Sequence, residues 1–129
     1  MLNDPLANVM SMILNGEKLG ERTVTVHPAS SIIKEVIEIL RQKGYVKDWT
    51  VTGTARGGTI TITLSGNVNK CGVIKPRFSV EKDEIEKFEK RYLPAKGMGI
   101  LIISTNQGLL THTAVLEKHT GGRLIAYCY

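Results

Sequence analysis

The stretch Ile100-Leu101-Ile102-Ile103-Ser104-Thr105-Asn106-Gln107-Gly108-Leu109-Leu110-Thr111 decides how the rest of the chain is read. Its opening run of branched aliphatics does not alternate with polar residues, so it describes a strand with apolar surroundings on both faces. The run then gives way to Ser104, Thr105, Asn106, Gln107 and Gly108, which carry hydroxyls, carboxamides or bare backbone on short side chains. Such groups both donate and accept hydrogen bonds. A polar loop springing from a rigid strand and leading into a helix holds them in place to recognise another polar molecule. The same residue types also build turns and helix caps, so the loop alone does not separate a binding element from a connection.

Working outward, Thr111 is placed to cap a short helix running through His119, Gly121-Gly122 ends it, and Leu124 to Tyr129 makes a final strand. On the other side, Glu81 to Tyr92 predicts a surface helix with Ile85, Phe88 and Tyr92 as its apolar stripe and a solvated charged face. Val68 to Lys75 reads as a basic strand ended by Pro76. Ser65-Gly66-Asn67 separates this half from the one before it. There, Asp4-Pro5 opens a helix with Leu6, Val9, Met10, Ile13 and Leu14 on one face, and Asn15-Gly16 closes it with Gly16 in the left-handed conformation. Thr23 to Val26 alternates as a short strand ended by His27-Pro28. Ser30 and Ser31 offer a cap for a second helix, with Ile33, Val36, Ile37 and Leu40 inward and Gly44 as its stop. Tyr45 to Thr54, carrying Trp49, reads as a strand, Ala55-Arg56-Gly57-Gly58 as a turn, and Thr59 to Leu64 alternates with its isoleucines inward.

The predicted fold class is therefore α+β in two small lobes. The N-terminal lobe, residues 1–65, is α-β-α-β-β; the C-terminal lobe, residues 66–129, is mostly antiparallel β with short helices and carries the polar loop. A chain of 129 residues with 42% hydrophobic and 22% charged residues has the composition of a soluble globular protein. No apolar run approaches a membrane span, and Met1-Leu2-Asn3-Asp4 has no signal-type character, so a cytosolic protein without membrane partners is expected. Cys71 and Cys128 read as small buried hydrophobes in strands.

Net charge is +5, from 17 Lys and Arg against 12 Asp and Glu, with a pI of about 9.3. Lys70, Lys75 and Arg77 lie in a segment without acids, and Arg56 belongs to a second basic segment. Clusters of that kind point toward polyanions.

A nucleophile at Ser104 or Thr105 with His112 as base is the one catalytic arrangement the spacing permits. It lacks a G-x-S-x-G elbow, and no nearby Asp or Glu is expected to orient the imidazole. The carboxylates gather on the Glu81 to Glu89 helix, facing solvent. Gly97-Met98-Gly99 precedes a strand, whereas phosphate-cradling glycines follow one. No catalytic set, cofactor site, metal-ligand set or small-molecule substrate is expected. Aromatic content of 5% argues against a base-stacking platform. Short hydroxyl and amide side chains suit the shallow minor groove of A-form RNA, with 2′-hydroxyls and base edges in reach, while Arg56, Lys70, Lys75 and Arg77 meet phosphates.

Gly97 to Gly99, the aliphatic run, Ser104 to Gly108, Gly121-Gly122 and the strand Leu124 to Tyr129 together resemble the signature of the eighth small-subunit ribosomal protein family. Asp4-Pro5-Leu6-Ala7-Asn8 with Ile13 and Asn15-Gly16 is similar to the family's opening helix, and Val24 to Tyr45 follows its second helix without a gap. Pro76-Arg77-Phe78 and His119-Thr120-Gly121-Gly122 are similar to the archaeal and eukaryotic branch. The resemblance implies a non-enzymatic primary ribosomal RNA-binding protein. It would bind the central domain of 16S-type RNA, help assemble the platform, and touch neighbouring small-subunit proteins in the cytoplasm. By position it implies RNA contacts at Ser104, Thr105, Asn106, Gln107, Gly108 and Arg56. Ser31 stands where bacterial members carry Lys. Arg123 replaces the Glu of the bacterial G-G-E, so the role of that side chain does not carry over and a phosphate contact by Arg123 is a new expectation; Asn106 replaces the second Ser of the loop. A messenger-RNA regulator using the same surface, and a small hydrolase built on Ser104 and His112, are the alternatives.

Overall fold

The computed structural model describes residues 5–26, 31–53, 58–74, 79–95 and 98–129. Among these are four α-helices and two antiparallel sheets. The chain divides into two compact units, Met1–Cys71 and Gly72–Tyr129.

In the first unit α1 (Pro5–Leu19) and α2 (Ser31–Gln42) accompany a sheet of β1 (Thr23–Val26), β2 (Val46–Thr52) and β3 (Thr59–Leu64), ordered β1-β3-β2. The alternation of β3 is borne out: Ile60, Ile62 and Leu64 are buried and the threonines between them half-buried. Its central place in the sheet follows, because both edge strands pair with it antiparallel. Leu6, Val9, Met10 and Ile13 of α1, and Ile33, Val36, Ile37 and Leu40 of α2, form the buried helix faces their spacing predicts.

The first helix does not stop at Gly16. It continues to Leu19, and the left-handed residue is Gly20, at φ 72°. The Gly20 amide bonds the Glu17 carbonyl, and the Glu21 amide bonds the Gly16 carbonyl. That pair of bonds is the Schellman arrangement, which needs a left-handed residue one step past the last helical turn. Gly16 serves packing instead: a Cβ there would stand 2.8 Å from Val24 Cγ1 and 2.9 Å from Leu64 Cδ1. The second helix ends in the same way, with Gly44 at φ 84°, its amide on Arg41 and the Tyr45 amide on Leu40.

The second unit holds all but the first residue of β4 (Cys71–Val73), then β5 (Ser79–Val80), a 3-10 turn (Lys82–Glu84), α3 (Ile85–Tyr92), β6 (Ile100–Thr105), β7 (Gly108–Thr111), α4 (His112–Glu117) and β8 (Gly122–Cys128). The sheet runs β4-β8-β6-β7, with β5 also on β8. Burial of Ile100, Leu101, Ile102 and Ile103 bears out the doubly covered strand. Leu101 and Ile103 join Ile74, Val80, Ile85, Phe88, Leu93, Val115 and Leu124 in one core cluster. Both cysteines are buried. The Asp4 and Ser30 caps, the end of β1 at His27-Pro28, the Ala55-Arg56-Gly57 part of the turn, Lys75-Pro76-Arg77-Phe78 and Gly97 lie outside the described residues. Among the described residues no helix is long and apolar enough to cross a membrane.

One electrostatic cluster ties α2 to β2. Glu38 accepts from Arg41 Nε at 2.9 Å and Nη2 at 2.6 Å, from Gln42 Nε2 at 3.2 Å, and from Trp49 Nε1 at 2.9 Å. The Arg41 bonds first, then the Trp49 bond, hold its carboxyl at about 2 against an ordinary 4.5. Because the folded group is the stronger acid, its contribution to stability is complete above pH 4.5 and is lost as pH falls toward 2. In an NMR titration the indole N–H of Trp49 is expected to move with a midpoint near pH 2. A midpoint in the ordinary carboxylate range would mean that the cluster does not hold in solution.

Candidate nucleic-acid interface

The predicted loop is the tip of a β-hairpin rather than a link from strand to helix. Ser104 and Thr105 are the last residues of β6, and Gly108 is the first of β7; Thr105 pairs with Gly108 and Ser104 with Leu109. Only Asn106 and Gln107 lie in the turn. Neither has a positive φ, so a two-residue primed turn is not used; Gly108, at φ 101°, supplies the left-handed step in the manner of a bulged hairpin. The helix begins only after β7 has paired back along β6.

This geometry divides the five residues into two kinds. Thr105 Oγ1 donates to the Gly108 carbonyl at 2.8 Å and accepts from the Gln107 amide at 3.0 Å, so its hydroxyl shapes the turn. Gly108 likewise contributes backbone geometry. Asn106 and Gln107 are exposed and Ser104 is half-buried. Gln107 Oε1 accepts from Lys118 Nζ at 2.9 Å. Among the described residues Gln107 Nε2, the Asn106 carboxamide and the Ser104 hydroxyl make no hydrogen bond, which leaves their donors and acceptors for a ligand.

Arg123 belongs to the same surface. It pairs across the sheet with Ser104 of β6 on one side and Ser79 of β5 on the other. Laterally paired residues share a sheet face, so Ser79, Arg123 and Ser104 form a polar row beside the hairpin tip. The neighbouring rung, Ile103 with Leu124, belongs to the core. Lys118 is a cation at the tip that sequence reasoning missed. It sits on the predicted helix but eleven residues from its partner, and no local spacing rule connects the two. Ser31 and Lys70 are exposed in the first unit. Arg56, Lys75 and Arg77 lie outside the described residues.

Gly121-Gly122 does not end α4 as expected. The helix stops at Glu117, capped at its start by Thr111, whose hydroxyl accepts from the Ala114 amide at 3.4 Å. The two glycines allow close approach. A Cβ on Gly121 would stand 2.6 Å from the Val80 carbonyl oxygen, and one on Gly122 would overlap the Ser104 carbonyl oxygen. Both obstacles are backbone, which cannot turn aside. The glycine pair thus seats β8 between β5 and the base of the hairpin.

His112 has a structural task that the sequence reading did not foresee. Its Nδ1 accepts from the Leu101 amide at 3.2 Å, and its Nε2 lies 3.2 Å from Glu89 Oε2. Nδ1 therefore carries the lone pair, and the ring proton on Nε2 faces the carboxylate. Both ring nitrogens are occupied, so His112 has none with which to activate Ser104. Glu89 was expected on a solvated helix face, yet it is 6% exposed and His112 2%. The expectation fails because α3 turns Glu89, alone among its charged residues, inward beside Phe88, where an imidazole can meet it. Among the described residues no three His, Cys, Asp or Glu side chains gather as a metal site.

Gly122→Ala is expected to destabilise the protein by about 1–3 kcal/mol, through overpacking against backbone, and to shift the Ser104 and Thr105 amide resonances. A denaturant midpoint equal to that of the parent would mean that β8 is not held against Ser104.

The hairpin tip, the glycine pair and the aliphatic strands lie within a match to the family model described as ribosomal protein S8, which extends over residues 4–129. The chain belongs to the ribosomal protein S8 family, small-subunit ribosomal proteins that bind ribosomal RNA.

Proposed function

We infer that this protein is a structural, non-enzymatic primary binder of the central domain of small-subunit ribosomal RNA, of the archaeal and eukaryotic type, and that it helps assemble the platform beside neighbouring small-subunit proteins. It works at the ribosome in the cytoplasm. The observation that carries this reading is the exposed hairpin tip, whose amide and hydroxyl groups stand beside a row containing Arg123. A-form RNA presents 2′-hydroxyls and base edges in a wide, shallow minor groove, where short donors and acceptors on a rigid support can read them. Ser104, Asn106 and Gln107 supply those groups, while Thr105 and Gly108 hold the turn that presents them. Arg123 provides charge for phosphate, with Lys70, Ser31, Arg56, Lys75 and Arg77 as further contacts.

The test is binding of the purified protein to a short central-domain helix and to a random duplex of equal length, at two salt concentrations. Preference for the first by several orders of magnitude at both salts is expected, within the range of about 10³–10⁷ known for specific nucleic-acid recognition. Equal binding that collapses with salt would reduce the protein to a basic surface. Asn106→Ala should cost about 1–3 kcal/mol of affinity with the salt dependence unchanged. Arg123→Ala should lower the slope of log affinity against log salt by about 0.7–0.9.

A further inference from the structure

Three helices of this protein end with the same hydrogen-bond pattern, and one of them breaks the rule that goes with it. In α4 the His119 amide bonds the Leu116 carbonyl at 3.3 Å and the Thr120 amide bonds the Val115 carbonyl at 3.2 Å. These are the two Schellman bonds seen after α1 and α2. The left-handed residue there is Gly20 or Gly44; here it is His119, at φ 52°, the one non-glycine residue with positive φ among those described. A side chain in that conformation brings Cβ against the carbonyl oxygen, a strain that glycine would remove. The His119 side chain is exposed. Burial therefore does not repay the strain.

The residue before it supplies a second, independent observation. Lys118 is exposed, and its ammonium reaches across to the hairpin, donating to Gln107 Oε1 at 2.9 Å. The corner between α4 and β8 is thereby fastened to the tip of the β6–β7 hairpin by a side chain that retains two further N–H donors. Three residues beyond His119 the chain enters β8 at Gly122, and the next residue is Arg123, opposite Ser104.

We propose that the Lys118–His119 corner is a second arm of the RNA-binding surface. Lys118 contacts a backbone phosphate while orienting Gln107, and His119 retains its strained conformation because its imidazole contacts the same RNA. This rests on the RNA-binding reading and adds to it a site outside the hairpin. Lys118 carries out two tasks at once. Its charge attracts the phosphate, and its bond to Oε1 turns the amide nitrogen of Gln107, a pure donor, toward the ligand side.

The experiment measures thermal stability and RNA affinity for Lys118→Gln and His119→Gly, on the central-domain helix and on the random duplex, across a salt series. His119→Gly is expected to keep or raise Tm while lowering affinity about threefold to tenfold, the worth of one hydrogen bond. A merely structural residue would not move the two readouts in opposite directions. Lys118→Gln should lower the salt slope by about 0.7–0.9 on both RNAs. Lowered Tm in His119→Gly, or parental affinity in that variant, would overturn the role of His119. An unchanged slope in Lys118→Gln would remove the corner from the interface. If the parent protein binds both RNAs alike, site-specific recognition fails, and the corner is still judged by its slope on the random duplex.

Discussion

The second unit depends on one imidazole. Strand β7 ends at Thr111, so the next amide on that side of β6, Leu101, has no strand to bond. The ring of His112, the first residue of α4, takes that amide instead and passes a second bond to Glu89 of α3. A buried amide left alone would cost on the order of 1–3 kcal/mol. One side chain thus continues the β-ladder, sets where α4 begins, and joins both helices to the central strand. The hairpin beyond inherits its rigidity from this anchor at its base, with the glycine pair clamping β8 on the other side.

That arrangement explains why short polar side chains can serve recognition here. An amide or hydroxyl on a mobile loop would lose in ordering entropy what it gained in hydrogen bonds. On a two-stranded projection rooted in Ile100 to Ile103, all buried, the groups are already ordered before a ligand arrives. Thr105 spends its own hydroxyl to achieve this, closing the turn from within. The residues that bear the signature thus divide between those that present groups and those that hold the turn.

Much of the fold was legible in the residues themselves. The alternation of Thr59 to Leu64, the apolar faces of α1 and α2, and the unbroken aliphatic run of β6 each follow from side-chain periodicity, which depends only on local geometry. The α+β class follows from their order. Helix ends were less legible: Gly16 carries the residue type of a stop yet lies inside α1, because a glycine can be demanded equally by a left-handed backbone or by a neighbour pressing close. Only the placement of Val24 and Leu64 decides between them.

Legible along the chain were strands β1, β2, β3, β6 and β8, the apolar faces of α1 and α2, the polar character of Ser104 to Gly108 and the family resemblance, since all of these are written in residues adjacent or periodic in sequence. Tertiary structure alone decided that the loop is a hairpin, that Arg123 stands opposite Ser104, that Lys118 reaches Gln107, and that Glu89 is buried against His112. These are pairings between residues far apart in sequence, set by strand register and by which helix face turns inward. The physical reason is the same for each: a hydrogen bond or an ion pair is chosen by proximity in space, and periodicity carries no information about which distant segment will arrive there.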